Sequence, residues 1–329
     1  ADLFYPRAKV AEVYELISAD FEFAAEHLPL IRSGINVGRA TKGSALGFLS
    51  KVYLTNRDYL KSRDAARALM DLGIYDLMES FADNFELGIG DNNKESVFQI
   101  QFTGCGPFGT GNALQAFFAP WGEGITKDRD GWGSQIPTAP SVNNPNTTIT
   151  DAFEVGDLRK LPTIMIPNSY YPSVNPEDGG YTYPSGGASA SAVNIKKYVV
   201  GSGANVCFMS TPQNAHLIRY SDILITYAES IMEIEGGITS NPEALMAFNQ
   251  VRERAGLEAL TELNREIVLQ ERRVEFAFEG QRWFDLLRSN NAIEIMTFHG
   301  KKPAIHNLLF PIPAGEIEVN KKLEQNPGY

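Results

Sequence analysis

The stretch ERRVEFAFEGQRWFDLLR, residues 271–288, constrains this chain more than any other. It sets four acids, four arginines and a run of large apolar groups into what a helix would span in about five turns. Glu271, Glu275 and Glu279 recur every four residues and so share one helix face. Val274 and Phe278 continue the apolar line of Ile267 on another face. The spacing predicts a helix clamped into a core by its apolar stripe. Glu271, Arg272, Arg273, Glu275, Glu279 and Arg282 then act structurally, as ion pairs along and between helices, and Trp283 packs in the core. A glycosidase needs an acid and a base or nucleophile facing each other across a cleft. Three acids on one face of one helix do not make that arrangement.

Helical patterning extends over both ends of the chain. Val10, Val13, Ile17, Phe21 and Ala24 have amphipathic spacing in a helix that must end before Pro29. Thr41 is placed to cap a second helix through Leu46, Leu49 and Tyr53. Residues 56–59 make a turn, and a third helix stops at Gly73. Ser62, Ala66 and Leu69 fall at offsets of zero, four and seven, as in the second helix of a tetratricopeptide pair. Ala244, Phe248 and Val251 repeat the same offsets in a later pair over 218–235 and 242–255. At the C-terminal end, Phe310-Pro311-Ile312-Pro313 must be extended, because proline fixes φ and moves the preceding residue out of the helical region. The tail reads as an irregular strap over the helices.

Between these parts, residues 84–203 read differently. Residues 96–102 alternate and are β-branched or aromatic, which predicts a short strand. A Gly-, Pro-, Asn- and Ser-rich tract follows, with Trp121, Trp132, Tyr170, Tyr171, Tyr181 and Tyr183 set inside it. A long tract of this kind in a compact domain is functional or disordered, and the aromatics argue for function. Trp and Tyr offer a flat apolar face with a polar edge, suited to stacking on the C–H face of a pyranose. These six rings are the ligand-binding candidates, led by Trp121 and Trp132.

Other chemistry is poorly supported. The chain has no Gly-x-Ser-x-Gly elbow, no phosphate loop with Gly-Lys-Ser/Thr and no His-Glu-x-x-His. Gly104-Cys105-Gly106 and Gly109-Thr110-Gly111 read as turns. His27, His216, His299 and His306 are scattered, without metal-binding spacing, so no cofactor is expected. Asp128-Arg129-Asp130 and Asp178-Gly179-Gly180 could touch calcium, but each brings too few of the roughly six to eight oxygens that ion takes. Cys105 and Cys207 read first as two buried thiols, with a single bridge as the alternative. A net charge of −11 argues against nucleic acid as a partner. No apolar run approaches the roughly 20 residues that span a bilayer.

The run at 271–288 also resembles the C-terminal signature of the SusD/RagB family of outer-membrane nutrient-binding lipoproteins. ATKGSALGFLSKVYL (40–54), DAFEVGDLR (151–159), LIRYSDILITYAES (217–230) and FNQVRERAGL (248–257) resemble further family segments, in the family's order. The closing FPIPAGEIEVNKKLEQNPGY (310–329) is similar to the family's usual chain end. The resemblance implies an all-α, SusD-like fold in three parts. These are a tetratricopeptide-like helical part over 1–83, a loop-rich candidate ligand region over 84–203, and a C-terminal helical signature region with its tail over 204–329. It implies capture of an oligosaccharide, without catalysis, for a SusC-like TonB-dependent transporter at the outward face of the outer membrane. The membrane would be reached only through a lipid anchor upstream of Ala1, and the N-terminus reads as truncated. An all-α glycoside hydrolase and a tetratricopeptide scaffold binding a peptide are the rival readings.

Overall fold

The computed structural model describes residues 4–106, 110–122, 124–125, 135–136, 149–186, 193–203, 205–207 and 209–329. Three helices open the chain: α1 (Val10–His27), α2 (Lys42–Thr55) and α3 (Tyr59–Met70). The middle carries two short helices, α4 (Leu114–Phe118) and α5 (Lys160–Thr163). The C-terminal part adds α6 (Tyr220–Ile234), α7 (Pro242–Arg254), α8 (Arg265–Glu275), α9 (Arg282–Arg288), α10 (Ala292–Phe298) and α11 (Ala314–Val319).

Local chemistry sets the helix starts. The Thr41 hydroxyl accepts from Ser44 N at 3.2 Å, and Thr41 N donates back to the Ser44 hydroxyl at 2.8 Å, a closed capping box. Asp58 caps α3, and Asn241 caps α7 ahead of Pro242 at its first turn. Packing then proceeds in chain order, α1 on α2, α2 on α3, α3 on α6 and α6 on α7. Such nearest-neighbour stacking is the organisation of a helical solenoid. Ser62, Ala66 and Leu69, and likewise Ala244, Phe248 and Val251, are all buried, as their offsets predict. Ser62 lets three helices approach closely, donating to Ser50 O at 2.9 Å and accepting from the Ser230 hydroxyl at 2.9 Å. Gly47 serves the same end, since a Cβ there would come within 3.1 Å of Val97 Cγ1. Helix α6 is buried on all sides from Tyr220 to Met232 and forms the axis of the core. On α1 only the C-terminal half of the predicted stripe meets this core. Phe21 and Ala24 pack against it, whereas Val10 and Val13 are exposed.

The loop-rich middle leaves the helical core and returns to it at one place. Strand β1 (Ser96–Ile100) is the predicted strand, and its partner lies far along the chain, so β2 to β6 belong to the excursion between them. β2 (Gln135–Ile136), β3 (Ile164–Met165) and β6 (Val193–Ile195) form one small antiparallel sheet, and β4 (Tyr170–Tyr171) pairs with β5 (Tyr181–Thr182). β7 (Ala215–Arg219) then pairs antiparallel with β1, irregularly in register, and runs straight into α6. A last pair, β8 (Ile238–Thr239) with β9 (Leu263–Asn264), brackets α7. Satellite apolar clusters hold the excursion. One joins Ala119, Ile125, Met165, Tyr171, Val174, Tyr183 and Val199, and another sets Ile164 and Ile195 against Val274 of α8.

Three expectations are corrected. The run 271–288 is not one helix. α8 stops at Glu275, Phe278 and Gly280 both take positive φ, at 64° and 77°, and α9 begins at Arg282. The apolar and charged periodicity survives this break, and it hid the turn. Cys105 and Cys207 are not thiols but a disulfide, tying residues 104–106 to 205–207 alongside a hydrogen bond from Cys105 N to Asn205 O. The tail is extended over 310–313 as predicted, but it carries α11 and packs on the first described residues. Asn320 Nδ2 donates to Tyr5 O at 2.9 Å, and Arg7 Nη1 to Asn326 Oδ1 at 2.8 Å. Among the described residues, no helix is long and apolar enough to cross a membrane.

Candidate functional site

The charges of the 271–288 run are buried, and burying a charge is tolerable only with close partners. Arg219, at the junction of β7 and α6, supplies the centre. Its Nη1 donates to Glu95 at 2.6 Å and Glu275 at 2.7 Å, and its Nε and Nη2 grip Glu279 at 2.9 and 2.8 Å. Arg254 bridges Glu95 and Glu275 from α7, at 2.9 and 2.6 Å. Arg159 chelates Asp157 and also reaches Glu275 and Glu271. Arg252 joins Glu271 to Glu154 at the rim, and Lys197 meets Glu279 at 2.8 Å. Aromatic faces close the shell, with the Arg219 guanidinium between Phe81, Phe85 and Phe276. A second cluster joins Arg272 to Asp222 and Asp285 at 3.0 Å each, with Lys51 on Asp222 and Arg288 on Asp285.

These contacts decide what the acids can do. Burial alone would raise the Glu275 carboxyl, but Arg254, Arg219 and Arg159 outweigh it and hold it well below the usual range. Glu279 is likewise depressed, by Arg219 and Lys197 against burial. A carboxylate fixed in this way neither donates nor accepts a proton near neutral pH. Arg273 and Arg282 are half-buried. Burial lowers both, and Arg282, beside the like charge of Arg273, falls to about 10. Arg282 Nη1 donates to Leu269 O at 3.1 Å. Trp283 is only half-buried, a shallower position than predicted.

The partners of the run were not singled out from sequence, though the segments that hold several of them were. Arg159 closes segment 151–159, Arg219 and Asp222 sit in 217–230, and Arg252 and Arg254 lie in 248–257. Each pairs with the terminal signature. Glu95 and Lys197 carried no comparable signal.

The six candidate rings divide. Trp121 is 58 % exposed, on a short loop whose ends, Ala119 and Ile125, are both packed into the cluster around Val174. Tyr170 is 54 % exposed, its ring lying on Gly180 and its hydroxyl donating to Gly179 O at 2.7 Å. Tyr171 and Tyr183 are 3 % and 0 % exposed and offer no face to a ligand as they stand. The cause is strand alternation: Tyr170 and Tyr171 are successive in β4 and point to opposite sides. The Tyr171 hydroxyl donates to Ile164 O at 3.0 Å, and the Tyr183 hydroxyl accepts from Asn194 Nδ2 at 2.6 Å. Tyr181, opposite Tyr171 in the ladder, is partly buried on the same cluster. Trp132 lies outside the described residues, as do Asp128 and Asp130. Asp178, Gly179 and Gly180 form a turn closed on Asn175 O. Among the described residues no three His, Cys, Asp or Glu side chains converge as a metal site. His216 is buried, and burial chiefly, with Arg219, lowers it to about 4, while its ring meets Asn84 O at 2.8 Å.

A cleft of about 480 Å³ has Ser202 in its wall, whose hydroxyl reaches Ile125 O at the far end of the Trp121 loop. Glu86 and Leu87 form part of its wall, with Pro172, Ser173, Pro176 and Glu177 from the β4–β5 connection and Ser202 and Gly203 from a third segment. Asn175 rivets these segments together from a buried position with φ of 54°. Its Nδ2 donates to Ile125 O at 3.0 Å, its Oδ1 accepts from Ser202 N, and its own N–H donates to Val200 O. A preformed concave site of this size, rimmed by polar groups and prolines, suits a small polar ligand.

Known proteins share this architecture. A SusD-like protein of Bacteroides ovatus is 29% identical over 299 residues, covering 86% of this chain and 51% of the relative. SusD-like protein P2 of Formosa agariphila is 29% identical over 354 residues, covering 97% of this chain and 65% of the relative. The chain thus spans between half and two thirds of the length of these relatives. Among solved structures, a laminarin-binding SusD-like protein superposes with a TM-score of 0.74 at 25% identity, over 98% of this chain and 70% of that one. A structure containing a xylogluco-oligosaccharide superposes with a TM-score of 0.83 at 24% identity, over 98% and 74%, and this likeness shows the fold. The surface glycan-binding protein A of Bacteroides fluxus, at 25% identity and a TM-score of 0.75 over 99% and 73%, is, like the laminarin binder, a glycan-binding protein. Residues 94–329 match the SusD family model, and the chain belongs to the SusD family.

Proposed function

We propose that this protein captures an oligosaccharide at the cell surface, without cleaving it, and delivers it to a SusC-like TonB-dependent transporter. The ligand is held by the loop-rich part, 84–203, between the helical parts 1–83 and 204–329. Trp121 leads, with Trp132 and Tyr170 and with Tyr181 at the margin. The observation that carries this reading is the exposed Trp121 ring on a loop pinned at both ends, whose Ile125 end accepts from Ser202 in the wall of an open cleft. Such a ring is a platform for a sugar's C–H face, worth roughly 1–2 kcal/mol per stack. The glycan-binding names of solved relatives support it. An outward-facing outer-membrane location, through a lipid anchor on a segment preceding Ala1, is part of the proposal. The Cys105–Cys207 bridge supports an oxidising surrounding.

Binding without turnover is supported by the signature acids, which are locked in ion pairs, and by the glycan-binding names of solved relatives. Incubation with soluble glycans, followed by chromatography of the products, tests this. Unchanged glycans, together with calorimetric binding of at least one of them, are expected. Cleavage abolished by substitution of a single carboxylate would restore the glycosidase reading.

A further inference from the structure

The cleft walled by the β4–β5 connection has a charge as well as a shape. Its two ionisable wall residues, Glu86 and Glu177, are both acids and come from separate segments. Among the described residues that line it there is no lysine, arginine or histidine. Among the described residues no ion pair engages either carboxylate, whereas the acids of the core are paired several times over. Lys196 feels the charge of Glu86, and it is only 5 % exposed, beyond the reach of a ligand. The rest of the wall is neutral, with the prolines and Leu87 offering apolar surface and Ser173 and Ser202 offering hydroxyls.

We infer that the cleft selects neutral glycans and rejects glycans bearing carboxylate or sulfate groups. The inference rests on the ligand site proposed above. Carboxylates on the wall accept hydrogen bonds from sugar hydroxyls, and charge-assisted bonds of this kind are the strong ones. The same carboxylates repel an anionic sugar, and a like charge placed across an interface is a specificity device. The chain's net charge of −11 adds to the repulsion at longer range. At low ionic strength, the loss for an acidic ligand is expected to be at least roughly tenfold in affinity. Salt shortens the reach of these charges, so the penalty shrinks as ionic strength rises.

The test is calorimetric titration of the full chain with laminari-, cello- and mannohexaose and a xyloglucan oligosaccharide. Each is paired with its counterpart oxidised to carboxylates at the primary hydroxyls. Parent, Glu177→Gln and the Glu86→Gln/Glu177→Gln double variant are compared at low and at physiological salt. The tightest neutral probe is expected to beat its oxidised counterpart by roughly tenfold or more. The double variant should cut that ratio at least about threefold, and added salt should narrow it in the parent. Glu177 is exposed, so the single variant keeps the test open should the double one fold poorly. Tighter binding of an oxidised probe, or a ratio unchanged by both variants, would overturn the inference while leaving glycan capture intact. Failure of every probe to bind would overturn both.

Discussion

Replacing Arg219 by Met tests the buried ionic lattice at its centre. The side chain is fully buried, as are the Glu95 and Glu275 carboxylates, and Glu279 nearly so. Around it, five buried cations, Arg159, Lys197, Arg219, Arg252 and Arg254, face five buried carboxylates, Glu95, Asp157, Glu271, Glu275 and Glu279. Removing one guanidinium leaves a buried negative charge without its match. Breaking a buried pair from one side costs about 3–5 kcal/mol, mostly the penalty of the stranded charge. Each acid keeps a second partner, Arg254 for Glu95 and Glu275 and Lys197 for Glu279, which spreads the loss without cancelling it. For a chain of this size the melting temperature should fall by roughly 6–10 °C, at about 2 °C per kcal/mol. Calorimetry and urea unfolding measure both quantities. Arg265→Met is the control, because Arg265 pairs with Glu233 while itself 60 % exposed, and such a pair is worth no more than about 1 kcal/mol. An Arg219→Met protein within about 0.5 kcal/mol of the parent would show that the lattice carries no such penalty, since a mere surface change costs that much.

Further outcomes follow from the same structure. His216 is lowered to about 4, so the unfolded chain binds its proton first and stability should fall as pH drops from about 6.5 to 4, by up to about 3 kcal/mol. A flat stability profile over that window would contradict this. Below it, stability falls further as Glu275, Glu279 and Asp285, all depressed in the fold, take up protons. Thiol titration of the native protein should find Cys105 and Cys207 unreactive, and the Cys105→Ser/Cys207→Ser variant should lose about 2–4 kcal/mol. Free thiols in the native protein would refute the bridge. Tyr171→Phe and Tyr183→Phe remove buried hydrogen bonds and should cost about 1–2 kcal/mol of stability with glycan affinity unchanged, whereas Tyr170→Ala should do the reverse.

The helical solenoid was legible because its signals are local. Offsets of zero, four and seven at Ser62 and Ala244, and a capping threonine at 41, each follow from one turn of chain. The break after Glu275 was not legible. Phe278 adopts a left-handed conformation that its side chain disfavours, and tertiary packing imposes it. The ion-pair role of Glu271, Arg272, Glu275 and Glu279 was readable from spacing, whereas Arg282 bonds Leu269 O instead. The partners were not readable, since Arg159 and Arg219 meet the run only through long-range folding. In the middle, composition marked out the loop-rich tract but could not sort its rings. Tyr170 and Tyr171 are neighbours with opposite fates, decided by a two-residue strand whose partner lies ten residues on. The sequence placed the disulfide second to two buried thiols for the same reason, because nothing local brings Cys105 near Cys207.

In the proposed function the loop-rich middle, around Trp121 and the cleft walled by Glu86, Glu177 and Ser202, holds the glycan. A crystal structure of the protein with its tightest neutral oligosaccharide tests this most directly. A sugar ring stacked on Trp121 is expected, with density continuing into the cleft and the buried ionic lattice untouched. A glycan seated instead on the helical part, away from residues 84–203 and with Trp121 uncovered, would contradict it.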